Sequence, residues 1–307
     1  MNEDYPRTWL ELDQRFPEET DCLGYLRQLR WPAGLRCPSC DSPLAWPMKK
    51  SLWLCQACRH QTSVLAGTIF QDTKLPLKVW FAAMWFVTSQ KNGVSALGLQ
   101  RVLGLGSYRT AWAMLHKLRR AMVRPGRERL QGSVEVDEAY WGGAETDGAT
   151  GRLTRSKTIV AVAAEQVDHH IGRIRMRCLP DVSRSQLHAF IGENITPGST
   201  VVTDGFNAYR ELAGYTHVRT IQRRQKDGAP HCLPCAHRVI SLFKRWLLGT
   251  HQGSVGPEHL DDYLHEFTFR FNRRTSASRG KLFYRLAQQA VQVEPVPYAS
   301  LVNNHKP

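Results

Sequence analysis

The sequence predicts an α/β fold, a mixed sheet with flanking helices, carried behind two smaller N-terminal modules. Three observations predict it. Two Cys-x-x-Cys pairs stand close together near the start, Cys37-Pro38-Ser39-Cys40 and Cys55-Gln56-Ala57-Cys58. A stretch of helical periodicity follows them. After Pro125-Gly126 the pattern turns strand-like, and helices return from His237. The 307 residues leave room for two or three domains and at least one sizeable core.

Residues 1–34 open with a short amphipathic helix, in which Leu23, Tyr25, Leu26 and Leu29 form an apolar stripe that Trp31-Pro32 ends. Residues 35–65 hold the cysteines. Two knuckles, each turning a pair of thiols toward one ion, make a tetrahedral zinc site of Cys37, Cys40, Cys55 and Cys58. With all four positions filled by protein, such a zinc ribbon staples structure and catalyses nothing. Four buried reduced thiols, or a redox pair, are the plain alternatives, and the paired spacing argues against them. Trp53 and Leu54 read as strand residues beside the second knuckle.

Residues 66–128 read as a small helical domain. Residues 78–90 are strongly apolar and lack Gly and Pro, 94–103 form a second helix, and Gly104-Leu105-Gly106 is a turn. Ser107 then caps a third helix running to Arg120. With Tyr108, Arg109 and Lys117 on its second element this pair is helix-turn-helix-like, although any αα-hairpin reads the same way. Trp80, Trp85 and Trp112, at helical spacing, are expected in the core.

Residues 129–290 form the α/β block. Strands are expected over 133–139, 158–164 and 171–179, a helix over 183–194 capped by Ser183, and a strand over 199–203. A helix over 207–213, a strand over 217–222, and helices from His237 interrupted near 249–256 complete it. Three strands, a helix, a strand, a helix, a strand and then helices is the ribonuclease-H-like order. His169-His170 reads as a hairpin turn, Cys22 and Cys178 as packing cysteines, and the tail 291–307 carries little order signal.

Lys and Arg number 41 against 27 Asp and Glu, a formal net charge of +14. That excess favours a polyanionic partner, because each neutralised phosphate releases counterions; a merely soluble basic protein is the bland reading. The cations cluster: Lys117, Arg119, Arg120, Arg124, Arg127 and Arg129; then Arg223, Arg224 and Lys226; then Arg270, Arg273 and Arg274. The N-terminus is acidic and polar, without a signal-peptide pattern, and the apolar stretch 79–88 is too short to span a bilayer. Eight cysteines, four of them in the ribbon, fit a reducing cytoplasm.

Asp137 lies in Val134-Glu135-Val136-Asp137-Glu138 on the first strand of the block, and Asp204 closes the apolar run Val201-Val202-Thr203. Two carboxylates at the ends of adjacent strands can hold hard divalent cations between them, and a metal pair there suits in-line phosphodiester chemistry. Taken singly, each is an ordinary strand-end residue, Asp204-Gly205 being a common turn dipeptide.

Here the residues reach a family. The chain resembles bacterial insertion-sequence transposases that carry a zinc ribbon ahead of a DDE-type, ribonuclease-H-like catalytic domain. The likeness covers nearly the whole chain. It rests on Arg30-Trp31-Pro32, Gly67-Thr68-Ile69-Phe70, the Glu135-Val136-Asp137-Glu138 strand with Gly142-Gly143, and Thr203-Asp204-Gly205. Further on it rests on His237-Arg238, Lys244-Arg245-Trp246-Leu247 and the run Glu266 to Arg274.

The resemblance implies metal-dependent cleavage of transposon ends and strand transfer into target DNA, with Mg²⁺ or Mn²⁺ as catalytic metal. It makes Asp137 and Asp204 the first two ligands. No carboxylate stands where the family's third is expected; Lys244 follows His237 by seven residues, as the family's basic residue follows its third ligand, and this puts His237 in that place. Imidazole suits Mn²⁺ better than Mg²⁺. Lys244 and Arg245 would then contact phosphate near the site, with Arg109, Lys117, Arg120, Arg270 and Arg273 as further DNA contacts. Double-stranded DNA, a homodimer or larger assembly, and a nucleoid-associated location are the implied partners and place; no membrane is implied.

Three alternatives stay open in the residues. Glu266 shares a helix face with Arg270 and Arg273, so it either completes the metal shell or is salt-bridged structure. Cys232 and Cys235 with His231 and His237 could make a second zinc site, a cramped one. The missing third carboxylate also suits a catalytically inactive, DNA-binding relic acting as a regulator, while a structure-selective nuclease of the same fold would hydrolyse without joining.

Overall fold

A computed structural model describes residues 3–48, 52–124, 126–142, 157–168, 170–220 and 233–302. In chain order the elements are α1 (Trp9–Arg15), α2 (Glu19–Arg30), β1 (Ala45–Pro47), β2 (Leu52–Cys55), β3 (Gln61–Ser63), α3 (Leu77–Ser89), α4 (Ala96–Leu103) and α5 (Tyr108–Ala121). There follow β4 (Ser133–Trp141), β5 (Thr158–Val167), β6 (His170–Leu179), α6 (Arg184–Asn194), β7 (Thr200–Thr203), β8 (Thr216–Arg219), α7 (Pro234–His251), α8 (Leu260–Phe271), α9 (Arg279–Ala290) and α10 (Tyr298–Val302). They gather into two compact units, Met1–Arg124 with Thr275–Pro307, and Pro125–Arg274.

In the first unit, α1 starts on Thr8, whose hydroxyl accepts the Glu11 N–H, and α2 starts on a reciprocal cap between Glu18 and Asp21. The stripe on α2 buries Cys22, Tyr25 and Leu26. Tyr25 joins Phe16, Phe81 and Phe283 in an aromatic cluster, with Phe16 edge-on to Phe81 at 4.8 Å between ring centroids. Helix α3 is apolar nearly all round because it is buried nearly all round, against α2, α4 and α9. The three ribbon strands pair antiparallel in the order β1-β2-β3, and Arg30 from α2 donates to the Ser63 and Val64 carbonyls beside them.

The second unit is a mixed five-stranded sheet, order β6-β5-β4-β7-β8 among the described residues. β5 runs antiparallel to β4 and to β6, while β7 lies parallel to β4 and β8 parallel to β7. Strand alternation gives the sheet two apolar faces. Val134, Val136, Ala161, Ala163 and Val201 pack on Leu187, Phe190 and Ile191 of α6. Val160, Val162, Ala164, Ile174 and Met176 pack on α7 and α8 through Val239, Phe243, Leu264 and Phe267. This is the ribonuclease-H-like order expected, with helices on both faces.

Several local expectations need correction. The helix expected over 207–213 is a single 3-10 turn, Asn207–Tyr209, because Arg210 is already extended and Glu211 turns to φ 61°. β4 and β5 run past their expected ends to Trp141 and Val167, and α7 begins at Pro234, ahead of His237. The tail is not orderless: α10 buries Leu301, and Tyr298 meets Trp112 edge-on. Helix α1 had no forecast at all. The second unit closes at Arg274, whereas the sequence reading runs the α/β domain to residue 290; α9 buries Leu282, Phe283 and Leu286 within the first unit. Residues 221–222 of the expected strand, His169, Gly143 and the cluster Arg223, Arg224 and Lys226 lie outside the described residues.

Candidate functional site

The zinc ribbon is built from two matching knuckles. In the first, the Cys37 N–H donates to the Ser42 carbonyl and the Asp41 N–H to the Cys37 carbonyl, with Asp41 at φ 58°. In the second, the Cys55 N–H donates to the His60 carbonyl and the Arg59 N–H to the Cys55 carbonyl, with Arg59 at φ 61°. The same two hydrogen bonds at the same offsets aim both cysteine pairs at one point. All four Sγ atoms lie within 4.8 Å of one another, and the pairs Cys37–Cys58 and Cys40–Cys55 are 3.5 Å apart. A tetrahedron of Zn–S bonds near 2.3 Å needs sulfurs about 3.8 Å apart. The cluster therefore fits zinc. The N–H groups of Cys58 and then Ala57 favour the Cys55 thiolate and lower the pKa of that thiol, while that of Cys40 beside it is raised, so the cluster sheds its protons stepwise as a metal enters.

In the second unit, Asp137 sits inside β4 on the face covered by α7. His237, on the first turn of α7, brings its Nε2 to 3.2 Å from Asp137 Oδ2. The β4–β7 register pairs Ser133 with Thr200, Val134 with Val201 and Glu135 with Val202. Asp204 follows directly on Thr203, the last residue of β7, the strand that pairs with β4 beside Asp137. Asp204 is fixed by an Asx turn, its Oδ1 accepting the Phe206 N–H at 2.9 Å, and Arg219 from β8 donates to the Gly205 carbonyl at 2.9 Å.

Beneath the acid pair, on the opposite face, Glu138 Oε2 accepts the Tyr209 hydroxyl at 2.7 Å. Burial first, then the charge of Glu138 and those of Asp137 and Asp204, push the Tyr209 phenol well above its usual range. Tyr209 is thus a neutral donor, and both aspartates lie near enough for their charges to act on it. Two carboxylates and an imidazole are a donor set that suits Mn²⁺ or Mg²⁺. They are not gathered as tightly as the cysteines: among the described residues, no set of ligand atoms within 4.8 Å of one another combines Asp137, Asp204 and His237.

Glu266 is fully buried on α8 and pairs with Arg270 of its own helix at 3.5 Å. Arg270 is itself largely covered, over the Trp246 ring at 5.9 Å, and Arg273 lies 3.9 Å over Phe269 while donating to the Phe269 carbonyl. Lys244 and Arg245, by contrast, line an open groove of ≈ 790 Å³ with His237, Ile240, Ser241, Leu248 and Gly249 along one face of α7. In the first unit Arg109 is exposed at the start of α5, Lys117 and Arg120 are half-buried, and burial lowers the Lys117 pKa. Cys235, on the first turn of α7, is pushed up to about 11 by burial and then by Glu135. Its suggested zinc partners His231 and Cys232 lie outside the described residues. Sequence reasoning passed over Glu135, Tyr209 and Arg219. Glu135 had a signal, since a residue two before Asp137 on a strand must share its face.

The site and the ribbon together match known proteins. Residues 129–272 match the ISXO2-like transposase domain, and residues 17–61 match the transposase zinc-ribbon domain. The chain belongs to the insertion-sequence transposases. It is 27% identical over 275 residues, 83% of this chain and 91% of the relative, to an uncharacterized protein in transposable element ISH50 of Halobacterium salinarum. That relative is archaeal, so the likeness extends beyond the bacterial members. Among the described residues no helix is long and apolar enough to cross a membrane.

Proposed function

We propose that the chain cleaves DNA at the ends of its own element and joins the freed 3′ ends to target DNA, with Asp137, Asp204 and His237 as the catalytic set. The observation that carries this reading is the 3.2 Å approach of His237 Nε2 to Asp137 Oδ2, with Asp204 just past the end of the neighbouring strand β7. These residues would hold Mg²⁺ or, with an imidazole among them, Mn²⁺, which supplies Lewis-acid activation of the attacking and leaving oxygens of a phosphodiester. Asp137 and Asp204 keep that face anionic. Lys244 and Arg245 receive the phosphates of a strand laid along the α7 groove and offset that charge for a polyanionic substrate. Glu266 serves structure, its carboxylate engaged by Arg270 inside α8.

End recognition falls to the first unit. Helix α4 ends at Gly104 in the left-handed region, and Ser107 caps α5, so that Tyr108 and Arg109 stand exposed at the N-terminal end of the second helix. That is the end of a recognition helix that meets base edges in a major groove. Joining two ends calls for two copies of the chain on double-stranded DNA, in the cytoplasm and on the nucleoid.

The test is cleavage and joining of labelled duplexes carrying the element's ends, with Mn²⁺. Asp137→Ala, Asp204→Ala and His237→Ala should each lose more than about 100-fold, since even outer partners of metal ligands are worth 10–100-fold, while end binding persists. Activity retained by His237→Ala removes His237 from the set. Tight end binding with no cleavage by the wild-type chain identifies an inactive relic, and cleavage without joining identifies a nuclease.

A further inference from the structure

Glu135 is a buried carboxylate, 3% exposed, that the proposed metal set does not use. Its Oε2 accepts the backbone N–H of Ala236 at 2.9 Å. Helix α7 needs that acceptor. Its N-cap is Leu233, which has no side-chain oxygen to offer, and Pro234 follows at the first helical position. The first intrahelical hydrogen bond runs from the His237 N–H to the Leu233 carbonyl at 2.9 Å. Ala236 is therefore one of the amides that a Ser, Thr or Asp cap normally satisfies from within the helix. Here a carboxylate from strand β4 does so instead, facing the positive end of the helix dipole.

The next residue is His237. Two β4 side chains, Glu135 and Asp137, project from the same face and engage two consecutive α7 residues, Ala236 through its backbone and His237 through its ring. We propose that Glu135 is the positioning residue for His237: by capping α7 from the sheet it fixes where the first turn begins, and so how closely the imidazole stands to Asp137. The proposal rests on the reading of His237 as a metal ligand. A rotation or slip of the first turn would carry the ring away from Asp137, which a cap within α7 itself would not prevent.

The experiment compares wild type, Glu135→Gln, Glu135→Met and Asp137→Ala in the full chain. It measures Mn²⁺ affinity by electron paramagnetic resonance, kcat and KM for end cleavage, and hydrogen exchange at the Ala236 and His237 amides. Glu135→Met, similar in size without an acceptor, should lower Mn²⁺ affinity and kcat by about 10–100-fold, leave the KM for DNA unchanged, and speed exchange at Ala236. Glu135→Gln keeps an acceptor oxygen and should recover most of the loss. Wild-type affinity and kcat in Glu135→Met overturn the proposal. So does a Glu135→Gln as damaged as Asp137→Ala, which would make Glu135 a metal ligand itself. Should Glu135→Met not fold, Glu135→Gln decides alone, by protected Ala236 exchange and retained Mn²⁺ affinity. A wild-type chain that binds Mn²⁺ but cuts nothing removes the transposase reading and leaves this one standing on affinity and exchange.

Discussion

Asp137 and Glu138 are neighbours in sequence, yet strand alternation sends their carboxylates to opposite faces of the sheet. Asp137 meets His237 on the α7 side, while Glu138 is buried and takes the Tyr209 hydroxyl. The difference decides what each can do: one meets an imidazole that lines an open groove, the other fastens the turn after Asp204 to the central strand. Tyr209→Phe removes that donor from a charged acceptor and should cost about 1.5–3 kcal/mol of stability, read as a lower midpoint in urea unfolding. An unchanged midpoint would mean that the bond adds nothing net. Histidine and arginine divide in the same way. His237 is half-exposed and His116 fully buried; Arg245 faces the groove, while Arg270 is packed over Trp246 and paired with Glu266. Sequence gives their charge, and only packing tells which charges meet solvent.

Helices α3 and α7 share an irregularity. Neither begins on a residue that can cap it, and each receives a glutamate from elsewhere: Glu19 accepts the Leu77 N–H at 2.8 Å, and Glu135 accepts that of Ala236 at 2.9 Å. Helices α1, α4, α5 and α6 cap themselves with Thr8, Ser95, Ser107 and Ser183, and the last three were forecast to begin within two residues of where they do. The start of α7 was not legible for the same physical reason that makes it informative: its acceptor lies 101 residues away. Helix α9 depends on a close approach. A Cβ at Gly280 would lie 1.6 Å from the Pro6 carbonyl oxygen, so Gly280→Ala forces backbone apart and should cost at least about 1–3 kcal/mol. A thermal melt equal to wild type would show that the N-terminal segment yields freely.

Across the whole molecule, the net charge of +14 and the exposed cations on α5 and α7 set how the chain should meet DNA. End binding should weaken steeply with salt, log K falling by about 0.9 for each phosphate neutralised. Arg109→Ala should reduce that slope by about one phosphate, measured by titration at several salt concentrations. A slope the same as wild type would place Arg109 off the DNA. The sequence by itself determined the cysteine cluster of the zinc ribbon, the types of most elements and the basic character, because ligand spacing, periodicity and charge are properties of a few adjacent residues. It singled out Asp137, Asp204 and His237 as a set only through a family likeness. The tertiary structure decided that His237 stands beside Asp137, that Glu266 is sealed within α8, and that α9 leaves the α/β unit for the helical one. Those outcomes depend on strand register and helix placement, which sum many weak contacts between residues far apart in the chain, and no local signal carries that sum.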